Sequence, residues 1–507
     1  TSVLHLLDDV TLTFNGEKTF KALEQNGKTL TLGSTTSDLE LIDPFTLSSG
    51  TLHTKDADLT LQGALTLHNS SQLDSTDGTI TLESGGTSTG ALLSLPDTTL
   101  VLQSALSLSG ATLKAKNTTF TTNANALSLS NNSILEVEGT QNLSGVVPDS
   151  TSTLRLTADA TINDSAVLSV GTLDLSDFAL TLDDSMAGLS VAQAVTLDAA
   201  GEQILTGAAD LSLNGGISVN AGTLSSSGGT LGLPGGATLA SGASFSTSNT
   251  TLNLGGSLVV ADTWTITSTS VSLTDNASLS STEEMSLASL QTNGHDFELA
   301  SVTSDLTIEN AFALSGGETL STQGADLIFE SSADISSGST LDVTVLTGTG
   351  GKLEFRQGGT TSGTINARNA TFKIGSAYAV TGTLKTNSNT TWELGNSNLD
   401  LSGGTLELGG NVTLDQVLTN NQTSFKLSQN TTATRNSGFT LGSLNLEGNT
   451  MTLGSATTDL NQLCKSRASS SAPLPLYGLQ HSSKGFSPSK KKPTASDVPE
   501  YLSASGF

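Results

Sequence analysis

Two short strings in this chain of 507 residues resemble motifs that carry chemistry. Gly86-Thr87-Ser88-Thr89-Gly90 matches the nucleophile elbow, in which a strand-to-helix turn exposes a serine, but no helical pattern follows it. Gly348-Thr349-Gly350-Gly351-Lys352 resembles a phosphate-binding loop, but the spacing is wrong and Leu353 replaces the required Ser or Thr. In a chain with 52 glycines such matches arise by chance, so neither string predicts catalysis.

Metal ligands are also not grouped. The five histidines are scattered and never at metal-ligand spacing: His5, His53, His68, His295 and His481. Two acidic pairs, Asp8-Asp9 and Asp183-Asp184, could bind a calcium ion, and the alternative is that they are solvated turn carboxylates. We therefore assign no catalytic, cofactor-binding or metal-binding residues, with calcium at the acidic pairs as the one cofactor to consider.

Aromatic and Asn-x-Ser/Thr positions could bind or carry sugars. An exposed tryptophan can stack on a sugar ring, but Trp264 precedes the apolar Ile266 by two residues and so should point inward. Trp392 is the other tryptophan. Asn-x-Ser/Thr strings, which could be glycosylated, begin at Asn69, Asn117, Asn249, Asn389 and Asn411, although this composition also produces them by chance.

A repeat of apolar residues predicts the secondary-structure elements that would position these residues. The pattern Φ-x-Φ-x-x-x-Φ-x-Φ, with Φ apolar, recurs in steps of 19 to 21 residues, which is typical of a solenoid. Its second Φ falls at Leu41, Leu61, Leu82 and Leu102, and later at Leu213, Leu233, Leu254, Leu273, Ile308, Phe329, Ile374, Leu394, Leu408, Leu427 and Leu446.

The period converts directly into geometry. Each Φ-x-Φ places two side chains on one face of a strand, and Gly, Asn, Asp and Ser fall where corners are needed. No long window has helical periodicity. A sandwich of hairpins also shows strands at 8–12-residue spacing, but it has no reason to keep a 20-residue register. We predict an all-β fold, a parallel β-helix (β-solenoid) of about 22 coils over residues 1–463, which at about 4.8 Å per coil gives a rod of about 105 Å.

Composition fits this fold. A narrow coil is filled by stacked Leu, Val and Ile and has little room for rings, in agreement with an aromatic content of 4%. Two intervals of 54 residues, from Leu102 to Leu156 and from Leu254 to Ile308, exceed two coils. We expect the extra residues to form projecting loops or coils; ordinary variation in coil length is the alternative to a binding site there.

The character of the chain changes near residue 464. Residues 464–507 contain five of the nine prolines, six basic residues and two acidic ones, without periodicity. We predict a disordered basic tail or linker after the solenoid, with an anchor for an acidic surface or glycan as the alternative.

Charge and cysteine content narrow the function classes. The net charge is −27, and residues 1–463 carry 45 acidic and 14 basic side chains. Such a surface repels nucleic acid. The single cysteine, Cys464, provides no disulfide framework. No apolar run of 18 residues predicts a membrane span. The start of the chain lacks Met and a charged leader, so we expect a mature product or an excised part of something larger.

The repeat, with Leu-x-Leu pairs, Gly/Asn/Asp corners and Thr/Ser outward positions, resembles bacterial β-helical surface adhesins. Filamentous haemagglutinin-like exoproteins and autotransporter passenger domains are the nearest types, and the resemblance covers about residues 12–460. It concerns architecture, since the secretion domain and closing barrel strands of those proteins are not recognisable here. It implies secretion, a cell-surface location, and adhesion or matrix building.

These features together favour a non-enzymatic extracellular rod, either an adhesin stalk or a self-assembling fibre or surface-layer subunit. Its expected partners are copies of itself, end to end or laterally, and glycans or cell-surface receptors, with no nucleic acid and no membrane span. One alternative is a β-helical polysaccharide lyase or hydrolase. Another is an ice-binding solenoid, suggested by the Thr-x-Thr pairs Thr11/Thr13, Thr29/Thr31 and Thr79/Thr81.

Overall fold

A computed structural model describes residues 2–345, 350–454, 460–462 and 480–481. About 55% of the structure is strand and no helix occurs in the described ranges. Parallel strands stack as a β-solenoid of about 21 turns, which confirms the predicted fold class. The chain divides into two compact units, Thr1–Thr269 and Ser270–Phe507.

Unit 1 has three strand-bearing faces, and successive coils add one strand to each. The first face contains Val3–His5, Ala22–Glu24, Phe45–Leu47, Leu65–Leu67, Gly86–Thr89, Leu106–Ser109, Leu127–Ser130, Val146–Pro148, Val167–Val170, Gly188–Val191, Asp210–Leu213, Thr230–Leu233 and the start of Thr251–Val260. The second contains Val10–Leu12, Leu30–Leu32, Gly50–Lys55, Ser71–Ser75, Leu92–Ser94, Thr112–Lys116, Thr172–Asp174, Val195–Leu197, Ile217–Val219 and Ala237–Leu239. The third contains Lys18–Phe20, Leu39–Leu41, Leu59–Leu61, Thr79–Leu82, Thr99–Leu102, Thr119–Thr121, Ala179–Leu182, Gln203–Thr206, Thr223–Ser226, Ser244–Ser248 and Trp264–Thr267. Ile134–Asn142 and Thr153–Asn163 run from the second face into the third.

Unit 2 has the same parallel pairing. One sheet contains Met285–Leu287, Leu306–Ile308, Leu327–Phe329, Lys352–Phe355, Thr371–Ile374 and Thr391–Glu393. A second contains Phe312–Leu314, Ala333–Ile335, Gly359–Thr361, Tyr378–Val380, Leu399–Asp400 and Val417–Leu418. Further paired strands are Ser270–Ser281, Ser289–Gln291, Phe297–Leu299, Thr319–Ser321, Thr340–Asp342, Thr364–Asn366, Thr383–Lys385, Thr405–Thr413, Ser424–Thr434, Phe439–Leu441, Ser443–Asn445, Met451–Leu453, Leu460–Gln462 and Gln480–His481.

The core is built as the alternation predicts. In Leu59–Leu61 both leucines are buried and the central threonine is half-exposed, because successive side chains in a strand point to opposite faces. Leu61 is paired with Leu41 on one side and with Leu82 on the other, and Leu82 is paired with Leu102. The register read from the sequence is therefore a column of stacked side chains inside unit 1.

The expectation of projecting segments is wrong. Residues 103–156 form paired strands such as Leu106–Ser109 and Ile134–Asn142, and residues 255–307 likewise form strands. Leu102 lies on the third face, whereas Leu156 lies in the part of Thr153–Asn163 that belongs to the second face. The 54-residue interval therefore measures a change of face, and coils continue through it.

The interior also holds more rings than expected. In unit 2, Phe312 and Phe329 stack with ring centroids 5.0 Å apart, and Phe329 stacks on Phe355 at 5.2 Å. Tyr378 packs 4.3 Å from Phe355, and its hydroxyl lies 2.6 Å from Oγ1 of Thr361. Burial raises the pKa of the Tyr378 phenol above its ordinary value. Rings fit because the stacking of coils brings register partners such as Phe329 and Phe355 to a separation at which aromatic rings attract one another.

The predicted tail, 464–507, lies outside the described residues apart from Gln480–His481. These two residues pair in parallel with Thr452–Leu453.

Candidate binding surface

The structure describes the whole of the first catalytic-looking string and only part of the second. Ser88 is 1% exposed and points into the core, in register with Leu67 and Leu108, so its hydroxyl is not presented to a substrate. Of the second string, Gly348 and Thr349 lie outside the described residues. Lys352 is an ion-pair partner, with Nζ 3.3 Å from Oε2 of Glu354.

The histidines and acidic pairs are separate from one another. Nδ1 of His5 lies 2.7 Å from Glu24, and Nδ1 of His53 lies 2.8 Å from Asp74. Among the described residues, no three His, Cys, Asp or Glu side chains are grouped as metal ligands. The side chain of His481 lies outside the described residues.

Each acidic pair is partly used by the backbone. Oδ1 of Asp9 accepts a hydrogen bond from the Thr29 N–H at 2.7 Å, and Asp8 lies 3.7 Å from Nζ of Lys28. Oδ1 of Asp183 accepts from the N–H and hydroxyl of Ser185, which lower the pKa of the Asp183 carboxyl.

Trp264 points inward, as predicted. It is 6% exposed, stacks on Phe245 at 5.0 Å, and donates its indole N–H to Oγ1 of Thr247 at 2.9 Å. Trp392 is half-buried beside Phe372, with ring centroids 5.8 Å apart. Of the glycosylation strings, Asn117 and Asn249 adopt a positive φ outside strands.

Many carboxylates have a structural task that the sequence did not reveal. An Asp or Asn oxygen, at a corner in most cases and within the strand Ala333–Ile335 in one, accepts a hydrogen bond from a backbone N–H in the following coil, 20 to 26 residues later. The acceptors are Asp9, Asp38, Asp58, Asp159, Asp184, Asp210, Asn276, Asp296, Asp305, Asp326, Asp334, Asp415 and Asn430. A charged acceptor strengthens such a bond. A signal for this in the sequence is confined to pairs of aspartates one coil apart, such as Asp38 and Asp58.

A row of paired charges runs along the outside of the second face of unit 1, and we call it the ionic row. Strand register places its members on consecutive coils: His53, Asp74, Ser94, Lys114, Glu136, Arg155 and Asp174. Lys114 lies 3.2 Å from Glu136, and Nε of Arg155 donates to Asp174 at 2.9 Å. Burial alone would raise the pKa of Asp174, but the hydrogen bonds from Arg155 and Ser176 outweigh it and lower that pKa. The row binds coil to coil.

Unit 2 has a denser cluster of the same kind. Glu354 is 5% exposed, and its Oε1 lies 3.0 Å from Nζ of Lys373 and 3.3 Å from Nε of Arg356. Arg356 also pairs with Glu330. Burial raises the pKa of Glu354, but hydrogen bonds from Lys373 and Lys352 outweigh it, so the carboxyl titrates below its ordinary value. An ionised carboxylate held by cations is a poor proton donor, so the cluster is suited to binding coils together.

In contrast, the first face of unit 1 presents a neutral row of hydroxyls. Its central outward residues on consecutive coils are Thr46, Thr66, Thr87, Ser107 and Ser128. Their side chains make no hydrogen bonds to other residues in the described parts of the chain, so they are available to a ligand or another surface.

The threonine pairs noted in the sequence do not share one plane. Thr11 is in register with Thr31 on the second face, whereas Thr79 and Thr81 lie on the third face, opposite Thr99 and Val101. A flat ladder of Thr pairs over successive coils is therefore not formed by these residues.

No known protein family, curated protein or solved structure matches this chain. Among the described residues there is no helix that could cross a membrane.

Proposed function

We propose that the protein is a non-enzymatic, extracellular structural or adhesive solenoid at a cell surface, either a stalk that binds a partner or a subunit that binds copies of itself. The observation that supports this most directly is how its polar side chains are used. Charged residues bind one coil to the next, and small hydroxyl residues such as Thr46 and Ser107 face solvent. That arrangement suits a regular surface more than a catalytic cleft.

The location is inferred from the repeat pattern, which resembles bacterial surface adhesins. The acidic surface favours solubility. A net charge of −27 also argues against nucleic acid as a partner.

Negative-stain electron microscopy at several protein concentrations, with and without calcium, distinguishes a stalk from a self-assembling subunit. Filaments or sheets that grow with concentration would identify an assembling subunit. Discrete particles at every concentration would identify a stalk, and cell-binding and glycan-array measurements would then follow. A chain that neither assembles nor attaches to any surface would contradict the proposal.

The rival function, polysaccharide cleavage, has a defined place to be tested. The Glu354 cluster brings carboxylates together with Lys and Arg side chains, the residue types that such enzymes use. We expect no release of reducing ends or unsaturated products from acidic and neutral polysaccharides. Cleavage that Glu354→Gln abolishes would overturn the non-enzymatic assignment.

A further inference from the structure

A groove of about 410 Å³ crosses the outside of the third face of unit 1. Its floor is one outward row on four consecutive coils, Thr161, Thr181, Leu205 and Ser225. Three inter-strand spacings of about 4.8 Å give this row a length of about 14 Å. Leu205 interrupts the hydroxyls with a half-buried apolar patch.

Two carboxylates form one wall of the groove. Asp183 and Asp184 follow the strand Ala179–Leu182. Asp183 uses one oxygen within its own corner, and Asp184 uses one oxygen to bind the following coil. Oδ1 of Asp184 accepts a hydrogen bond from the Ala208 N–H at 3.0 Å, and Oδ1 of Asp183 is bonded to Ser185. The other oxygen of each has no hydrogen-bond partner in the described parts of the chain.

The same edge of the groove is low in the next two coils, because small residues follow the strands there. A Cβ atom at Gly207 would overlap Oδ1 of Asp184, so only glycine leaves the carboxylate in its present place. Ser227 lies at the matching position in the next coil. Thr206, which also lines the groove, is 3% exposed, and its hydroxyl has no hydrogen-bond partner among the described residues.

The charge around the groove has one sign. Residues 156–269 of unit 1 contain ten acidic residues and no Lys or Arg. The preceding cation, Arg155, is held by Glu136 and Asp174. The groove therefore repels anionic ligands such as uronic acids or phosphates and attracts cations. It differs from the pocket of about 280 Å³ near the ionic row, where Lys116 and Glu138 neutralise each other at 2.7 Å.

We propose that this groove binds an oligosaccharide carrying protonated amines. An ammonium group would lie between the unpaired oxygens of Asp183 and Asp184, sugar hydroxyls would bond to Thr161, Thr181 and Ser225, and a ring face would rest on Leu205. The proposal rests on the proposed adhesive function and gives that function a ligand class.

The test is isothermal titration calorimetry of the full chain with a tetramer of β-1,4-linked glucosamine. Its N-acetylated tetramer and the corresponding neutral glucose tetramer serve as comparison ligands. We expect binding of the glucosamine tetramer that weakens with salt, and little or none of the other two. Losing one charge-assisted hydrogen bond should weaken binding at least about tenfold in Asp184→Asn.

Gly207→Ala tests the geometry, since it must displace the Asp184 carboxylate and should weaken binding similarly. Asp177→Asn removes an equal charge at an exposed corner outside the groove and should leave binding unchanged. Circular dichroism checks that each variant folds. If Gly207→Ala does not fold, Asp184→Asn alone decides the test.

Absence of binding, equal binding of the neutral tetramer, or binding unaffected by Asp184→Asn would overturn the proposal. The proposed function would survive those results if the same preparations still attached to cells or assembled, so the two failures are distinguishable.

Discussion

Glu354 illustrates how one carboxylate can be nearly buried on the outside of a coil. Its neighbours in strand register are Ile328 on one side and Lys373 on the other, and Lys352 and Arg356 flank it on its own segment. Three cations thus replace the water that burial removes. Removing the carboxylate would leave them facing one another.

We therefore expect Glu354→Gln to lower the free energy of unfolding by about 1–3 kcal/mol at neutral pH, since the paired cations are only partly exposed to water. Urea denaturation followed by circular dichroism measures this. Glu393→Gln, on an exposed carboxylate in the same sheet, is the matched control and should change stability far less. Equal effects of the two substitutions would show that the cluster contributes nothing specific.

Comparison of the wild-type protein with Glu354→Gln also gives a prediction for the pH dependence of stability. Because the folded-state pKa of Glu354 lies below its ordinary value of 4.5, its contribution is complete above pH 4.5 and is lost as pH falls through the folded-state pKa. The stability difference between the wild-type protein and Glu354→Gln should therefore shrink in acid. A difference that stays constant from neutral pH to about pH 2 would contradict the assigned ion pairs.

At the scale of the element, corners decide how closely coils approach. Gly50 has φ +85° at the start of the strand Gly50–Lys55, and a Cβ there would overlap the carbonyl oxygen of Lys28 in the preceding coil. Gly242 has a similar φ of +91°, but no atom lies within 4 Å of its missing Cβ. Gly50 is needed both for its positive φ and for the close approach of the preceding coil, whereas Gly242 is needed for its positive φ alone.

This difference predicts unequal costs for the same substitution. Gly242→Ala should cost about 1–2 kcal/mol, because the left-handed conformation alone is disfavoured. Gly50→Ala should cost about 1–3 kcal/mol more, because the preceding coil must also shift. Unfolding in urea measures both variants, and similar midpoints for the two would mean that backbone conformation, not coil spacing, sets the requirement.

At the scale of the whole molecule, the repeat makes interactions local. Each coil of unit 1 pairs with the coil before and the coil after it, so stability should be close to a sum over coils and nearest-neighbour contacts. Residues in remote coils then have no contact in common, so the effects of substituting them should add.

Double-mutant cycles test this locality. Leu61→Ala and Leu82→Ala remove side chains that are register partners, so their coupling energy should reach about 0.5–3 kcal/mol. Leu61→Ala and Leu231→Ala lie roughly eight coils apart in unit 1 and should add within about 0.5 kcal/mol. Equal coupling in the two cycles would indicate that the unit responds as one cooperative body.

The sequence by itself determined the coil. Leu41, Leu61 and Leu82 are one period apart, and alternation within each strand turns them inward, so the parallel β-solenoid follows from local rules repeated many times. The inward position of Trp264 follows from the same alternation.

Tertiary structure alone decided which outward residues meet. The repeat in the sequence did not reveal that Leu102 and Leu156 lie on different faces. Each coil has three apolar segments, one for each face, and they look alike in the sequence. For the same reason the partners Glu136 and Arg155, or Asp184 and Gly207, could not be found from their separation: a difference of one or two residues in coil length changes which side chains lie opposite each other.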